Sequence, residues 1–511
     1  GRRGPIALRL AAASLARNPG QATVAATFLV ASLGLALFAV AYRSTLQRGQ
    51  HDEAAYTVPA SFVLTEDLSQ LVPVLHGAPR SSYPASPTQV VRLSGNVPSG
   101  TTFTVLGLPA RGAARVDGWR KDFAARPLPE LAASIAPATS MTLRTTALPR
   151  GRRFSLPVST TGDDIGIRAI FRSPLGDYES VSLGHTHGRA TATLHGRTPF
   201  RRSTLAQLQF DLLNGGHFSA NAGIGVQPSA KGVLRLGAPR IDGRPVRGAF
   251  ASWTGTGGLG GAAAHLGYLL TPDRSGAFRP AQPTDGRLLP VLATPGVAAE
   301  AGPGGVIPLQ IEGEQVAARV AGTIHRFPSV VGDAVIADRT ALATLLDTRS
   351  PGLGTTDELW LDVPPRQEAA TAAELGRAPF TQLGVASQAE TLDRLDADPL
   401  ARGALLTLAA AAAIALLLAL VGLVLAVVGD VRDDRGELFD LEAQGATPAT
   451  IRAHLRLRAL LVALFGILGG IGLGAILSTL VISLVSVTAG AAEPEPPLRL
   501  AADLPLLAAA A

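Results

Sequence analysis

Residues 403–429 read GALLTLAAAAAIALLLALVGLVLAVVG, 27 consecutive positions without a charged side chain. The hydrocarbon core of a bilayer is about 30 Å thick, and about 20 helical residues cross it. The run is therefore long enough to span. Residues 22–42, ATVAATFLVASLGLALFAVAY, give 21 uncharged positions, and residues 459–490 give 32. The first of these has an apolar core too long for a secretory signal, and no cleavage-like pattern follows it. Residues 504–511 are again apolar and read as the start of a fourth span. Three buried helices of a soluble protein would be a poor account of runs this long. The expected fold class is a multi-domain membrane protein, with an α-helical bundle of one plus three spans, the last truncated, and a large extracytoplasmic α+β region.

Composition agrees. Of 511 residues, 47% are hydrophobic and 16% charged, with a mean hydropathy of +0.27. That excludes a disordered chain and disfavours a soluble enzyme. Cysteine is absent, which excludes disulfide scaffolds, thiol catalysis, iron–sulfur clusters and Cys-bound zinc. Lys121 and Lys231 are the only lysines, so the pI near 10.2 comes from arginine. A P-loop needs Gly-Lys-Ser/Thr, but Asp122 follows Lys121 and Gly232 follows Lys231. The single methionine, Met141, and the apolar stretch at the chain's end suggest a piece of a longer chain.

Lys and Arg near the spans set orientation. Arg2, Arg3, Arg9 and Arg17 precede the first span, and Arg432, Arg435, Arg452, Arg456 and Arg458 lie in the loop 430–458. The loop 491–502 carries only Arg499. Residues 1–21, with a helix over 5–17, are therefore expected as a cytoplasmic interfacial segment, and 22–42 as the first span. Residues 44–400 are expected outside, 403–429 and 459–488 as the second and third spans, and 503–511 as the start of the fourth. In the third span Gly466, Gly470, Gly474 and Ser478 recur every four residues. That spacing makes a smooth strip on which another helix can pack closely; ordinary tolerance of glycine in membrane helices is the plainer alternative.

The cytoplasmic loop reads DVRDDRGELFDLEAQGATPATIRAHLRLR. Gly445 suits the C′ position of a helix over 433–444. Thr447 and Pro448 then suit the N-cap and N1 of the next helix. A short charged helix between two spans is either a plain connector or a handle for a cytoplasmic partner. The stretch Glu437-Leu438-Phe439-Asp440-Leu441-Glu442-Ala443-Gln444-Gly445-Ala446-Thr447 resembles the coupling segment of FtsX/MacB-type ABC transporter permeases. So do the entry Leu15-Ala16-Arg17-Asn18-Pro19-Gly20 and the one-plus-three plan. Leu, Arg and Leu are more usual in that family where Asp440, Glu442 and Gln444 stand.

The resemblance implies a cell-membrane permease subunit served by a separate cytoplasmic ABC ATPase dimer, which would hold the ATP and Mg. This chain itself would bind no cofactor and no metal. Its coupling helix would present Glu437, Leu438, Phe439, Asp440, Leu441, Glu442, Gln444 and Gly445. A second permease repeat or protomer would complete the unit among membrane lipids, for export or for lipid or lipoprotein handling. A mechanotransmitter that regulates an envelope hydrolase, and a membrane-anchored glycan-binding module, are the alternatives.

The external region is too long for one average domain. Strand-like runs at 306–311, 316–324 and 359–363 alternate with helical segments at 339–347 and 367–376. Parts 44–137 and 283–400 together resemble the α/β periplasmic domain of MacB-type permeases. Between them, 138–282 shows short strand-like runs at 165–171, 190–195, 205–212 and 232–237, separated by Gly, Pro and Asp turns. An inserted antiparallel β-sandwich of jelly-roll or lectin-like type is expected there. This insertion holds 16 arginines and Lys231 against seven acids, a net of +10, while the rest of the chain is about −4. Such a surface suits anionic envelope polymers or lipid headgroups, or is simply a solvated face. Asp163, Asp164 and Glu179 are the nearest approach to a carboxylate pair. His185 and His187, with His195 or His217, are a weak candidate metal site, and Trp253 a sugar-stacking or, preferably, core residue. No Gly-x-Ser-x-Gly elbow occurs, and neither an enzyme nor a nucleic-acid partner is expected.

Overall fold

The structure is a computed structural model that describes residues 19–66, 83–188, 191–213, 229–262, 264–272, 274–433, 448–484 and 495–499. The segments 1–18, 434–447 and 503–511, and with them the helix expected over 5–17, lie outside the described residues, apart from Asp433 of the helix expected over 433–444. The chain divides into two compact units, one formed by its two ends, up to Thr57 and from Gln388, the other by Val58–Ser387.

The first unit contains three long helices, Pro19–Thr57, Pro399–Asp433 and Pro448–Leu484. Each contains a stretch long and apolar enough to cross a membrane: Ala26–Thr57, Pro399–Gly422 and Leu460–Leu480. The first helix does not stop where the uncharged run ends at residue 42. It continues through the polar stretch 43–57, RSTLQRGQHDEAAYT, which lacks proline, and ends just ahead of Val58-Pro59. A residue that precedes proline disfavours helical backbone, so the stop is local. Along that extension Thr45, Gln50, Ala54 and Tyr56 are buried. A short helix, Gln388–Asp396, packs on it, and the Gln50 side-chain amide donates to the Leu395 carbonyl at 2.9 Å.

The second unit has two sheets. The first contains nine strands in the order Val306–Ile311, Glu314–Thr323, Leu289–Ala293, Ala334–Asp338, Thr102–Leu108, Thr88–Asn96, Glu358–Leu361, Phe62–Glu66 and Leu383–Ser387. Gln310 and Ile311 also pair with Asn96 and Gly95, which closes the first six strands into a ring. Val91, Val105, Val291, Ile307, Val316 and Val335 belong to one core with Leu342 and Leu346 of the helix Arg339–Arg349. Asp338 caps that helix by accepting from the Ala341 amide. Strand Ala334–Asp338 is buried throughout, because Ile336 joins a second core with Leu131 and Ile135 of the helix Leu128–Ile135. Strands from both sides of the long middle stretch interleave: Thr102–Leu108 pairs in parallel with Ala334–Asp338.

The second sheet draws all 13 of its strands from between Thr146 and Pro280. Its pairings are antiparallel, and ten of its strands run as one path, with the two-residue strands Thr146–Ala147, Arg240–Ile241 and Arg244–Pro245 paired alongside. One end is Thr191–Arg197, beside Arg153–Gly162; the other is Tyr178–His185, beside Ile165–Arg172. The path curls until those ends meet: a Cβ at Gly196 would lie 2.7 Å from Cδ2 of Leu183. Inside is a single apolar core with Phe154, Phe171, Phe210, Trp253 and Phe278. Where the chain enters and leaves this body, the Gln282 side chain accepts from the Arg144 amide and donates to the Arg144 carbonyl, both at 2.8 Å. A little away, Thr344 Oγ1 donates to the Met141 carbonyl at 2.6 Å, and Tyr178 Oη to Asp347 Oδ2 at 3.1 Å.

Candidate functional site: a glycine-lined helix pair

The repeat Gly466, Gly470, Gly474, Ser478 lies on the helix Pro448–Leu484 and faces the helix Pro19–Thr57. A Cβ placed at Gly466 would fall 2.6 Å from Cδ2 of Leu29, one at Gly470 2.8 Å from Cβ of Leu33, and one at Gly474 3.0 Å from Cβ of Leu37. No side chain larger than hydrogen fits there without movement. Ser478 is buried, and its hydroxyl donates to the Gly474 carbonyl at 2.7 Å, so it brings no unsatisfied polar group to the contact.

The register carries direction. Each step of four residues on one helix meets a step of four on the other, in the same sense. The two helices therefore run parallel, and their N-termini lie at the same end of the pair.

Two further glycines take part. Gly469 meets Val30, and Gly34 of the first helix meets Leu473, where a Cβ would lie 3.0 Å from Cδ2. Sequence reading missed both, because Gly469 breaks the four-residue spacing and Gly34 is alone in its run. By contrast, a Cβ at Gly472 meets nothing within 4 Å. Most large side chains of Pro399–Asp433 are exposed, among them Leu406, Leu417 and Leu425, as are Phe465 and Leu468 of the third long helix. An apolar surface of this extent fits lipid or further helices.

The coupling positions Glu437, Leu438, Phe439, Asp440, Leu441, Glu442, Gln444 and Gly445 lie outside the described residues. The external candidates can be placed. Asp163 Oδ2 accepts from the Lys231 amide at 2.9 Å, and Asp164 Oδ1 accepts from the Gly188 amide, so both acids are occupied in holding turns. Glu179 is exposed. His185 and His187 stand with ring centroids 4.5 Å apart and are exposed, as is His195. Among the described residues no three His, Cys, Asp or Glu side chains gather as a metal site would need; His217 is outside them. Trp253 is in the core between Phe250 and Phe278, and its Nε1 donates to Thr146 Oγ1 at 2.9 Å.

A cleft of about 660 Å³ opens at one end of the six-strand ring, beside Phe103, Glu312 and Asp333. Both carboxylates are engaged there, Glu312 by the Ser94 amide and Asp333 by the Thr294 hydroxyl. A partly buried polar network joins strand Thr88–Asn96 to strand Glu358–Leu361. Arg92 pairs with Glu358 and donates to the Ser329 carbonyl and hydroxyl, while Trp360 Nε1 donates to Glu358. Next to it, burial pushes Asp357 up to about 7, aided by the charge of Glu358 and opposed by Arg92. Its Oδ1 is buried without a hydrogen-bond partner. Burial also raises Asp347, against the hydrogen bonds it accepts from Gly354, Tyr178 and Gly352.

Residues 409–497 match the family model for the FtsX-like permease C-terminal domain. The match takes in most of the second long helix, the segment 434–447 and the whole third long helix, and it supports an FtsX-like permease. No curated protein matches the chain significantly.

Proposed function

From that match we propose that the chain is the membrane subunit of an ABC-type system, moved by a separate cytoplasmic ATPase. The match of residues 409–497 is the observation that carries this reading. FtsX-like permeases are non-enzymatic membrane subunits, and such a subunit must borrow its energy. The parallel helix pair supports the expected orientation. It puts Pro19 and Pro448, the starts of the first and third long helices, at one end of the pair. Those are the two places beside the spans where arginines collect, and Lys/Arg excess there marks the cytoplasmic side. Residues Glu437 to Gly445 would then meet the ATPase, and a second permease repeat or protomer would complete the membrane unit.

One observation favours transmission of movement over simple anchoring. The first helix runs unbroken for 39 residues, about 58 Å at 1.5 Å per residue, against a hydrocarbon core of about 30 Å. A rod of that length carries a displacement beyond the bilayer. Export, lipid or lipoprotein handling and control of an envelope hydrolase are all compatible uses.

The test is co-purification of the full-length chain from gently solubilised membranes. An ATPase is expected to accompany it, and Leu441→Arg to remove both that partner and the ATP hydrolysis. An intact chain that carries no ATPase, with or without the substitution, would overturn the reading in favour of an anchored binding module.

A further inference from the structure

Three arginine-rich segments, far apart in sequence, meet at one edge of the curled second sheet. They are 150–153, 197–202 and 240–247, and they hold nine arginines and a single acid, Asp242. All nine arginines are exposed. Strand Arg153–Gly162 brings the segments together. On one side it pairs with Thr191–Arg197, which sets Arg153 directly opposite Arg197 and Ser155 opposite His195. On its other side it pairs with the short strand Arg240–Ile241, which sets Arg240 opposite Ser155 and Ile241 opposite Phe154. Phe154 and Ile241 point into the core, so Arg153, Arg197 and Arg240 share the outer face.

Directly opposed residues in an antiparallel pair have Cβ atoms about 5 Å apart, and diagonal ones about 7 Å. Like charges so placed repel, and the fold offers little relief. Asp242 accepts from the Arg153 amide at 3.0 Å and lies 3.6 Å from its guanidinium. Among the described residues no other carboxylate pairs with any of the nine. The hairpin turn at Asp242 and Gly243, both with positive φ, returns the chain so that Arg244 pairs with Ile241 and remains at the same edge.

We propose that this face binds a linear polyanion, a hydrophilic polymer with closely spaced phosphate or carboxylate groups. Nine charges spread over three segments exceed what one small anion can use, and guanidinium forks match both phosphate and carboxylate oxygens. The composition of the edge favours a soluble polymer over a bilayer. Among the described residues the large apolar side chains exposed in this unit are Leu175, Val233, Leu269, Val331 and Val385. None belongs to the three segments, so the edge offers nothing to insert among acyl chains. The face is independent of the membrane helices, and the inference stands whether or not an ATPase drives the chain.

The test uses the full chain in phosphatidylcholine nanodiscs, titrated with long-chain polyphosphate and, separately, with polygalacturonate. Binding of either is expected to weaken with salt. Arg197→Glu with Arg240→Glu is expected to weaken it about tenfold or more, and to lower the log–log salt slope by about 0.7 per arginine lost. Arg366→Glu with Arg377→Glu, exposed positions elsewhere in the same unit, is expected to change little. Thermal unfolding checks that each variant is folded, and Arg197→Gln with Arg240→Gln replaces the Glu pair if it is not. A preference for one polymer identifies whether phosphate or carboxylate is the natural group. Equal binding by the edge and control variants, or no polymer binding, overturns the proposal. So does binding only to phosphatidylglycerol vesicles, which would make the face a membrane contact.

Discussion

The parallel packing of the first and third long helices makes a sharp prediction in a chain with no cysteine of its own. Two matched pairs, Leu29→Cys with Gly466→Cys and Leu37→Cys with Gly474→Cys, would each place two sulfurs across the contact. The Cβ positions are 3.0 Å apart in both pairs, and a slight parting of the helices, eased by loss of the leucine branches, reaches the disulfide range of about 3.5–4.5 Å. The crossed pairs, Leu29→Cys with Gly474→Cys and Leu37→Cys with Gly466→Cys, are displaced by eight residues, about 12 Å along the axis. They lie outside bonding range. The assay is mild oxidation of each double variant in nanodiscs, proteolysis, and quantification of the cross-linked peptides by mass spectrometry. Both matched pairs should close and neither crossed pair should. If the crossed pairs close as readily, the helices are antiparallel, and residues 19 and 448 no longer share an end.

The same contact predicts that Gly470→Leu separates the helices, since even its Cβ must move from 2.8 Å to an ordinary contact of at least 3.4 Å. Overpacking of this kind costs about 1–3 kcal/mol and should lower the unfolding temperature in detergent, whereas Gly472→Leu, in open space, should not. Asp357 is held up at about 7, so the folded external unit keeps its proton where the unfolded chain has lost it. The resulting stability is fully present below about pH 4 and is lost as pH rises through 7, by up to about 4 kcal/mol at 1.36 kcal/mol per pH unit. Unfolding of Asp357→Asn followed from pH 4 to 8 should lack most of that decline, and an unchanged slope would refute the assignment. Trp253→Ala should destabilise the external unit by about 3–5 kcal/mol, with no selective loss of glycan binding; an intact melting curve would place the indole outside the core.

What the sequence made legible is what local chemistry decides. Twenty or more uncharged residues announce a membrane helix, and the alternation Gln207-Leu208-Gln209-Phe210-Asp211 is a strand with Leu208 and Phe210 turned inward. The strip Gly466, Gly470, Gly474 could be read as a packing face because one helix supplies its whole period. Its partner could not, since Leu29, Leu33 and Leu37 look like any other apolar residues until the helices meet. Non-local pairing hid more. Nothing near Gly95 or Gln310 indicates that they join to close the ring. The polar residues 43–57 gave no apolar run to extend the first helix, yet they contain no proline to stop it. Asp163 and Asp164 looked like chemistry because adjacent acids attract notice, and their hydrogen bonds to Lys231 and Gly188 depend on strands more than 20 residues away.

The clasp between Gln282 and Arg144 has a consequence for how this molecule varies over evolutionary time. One side-chain amide ties the chain just before the first strand to the chain just after the last, so the two ends of the curled sheet's chain meet at a doorway. A loop whose ends are already adjacent pays almost no closure entropy for added length. The ring beyond the doorway takes all its hydrogen-bonded strands from outside 146–280. Residues on the far side of that doorway can thus be lengthened, recharged or exchanged while the ring retains its pairings. The molecule is built to change its cargo of surface without redrawing the machine that carries it.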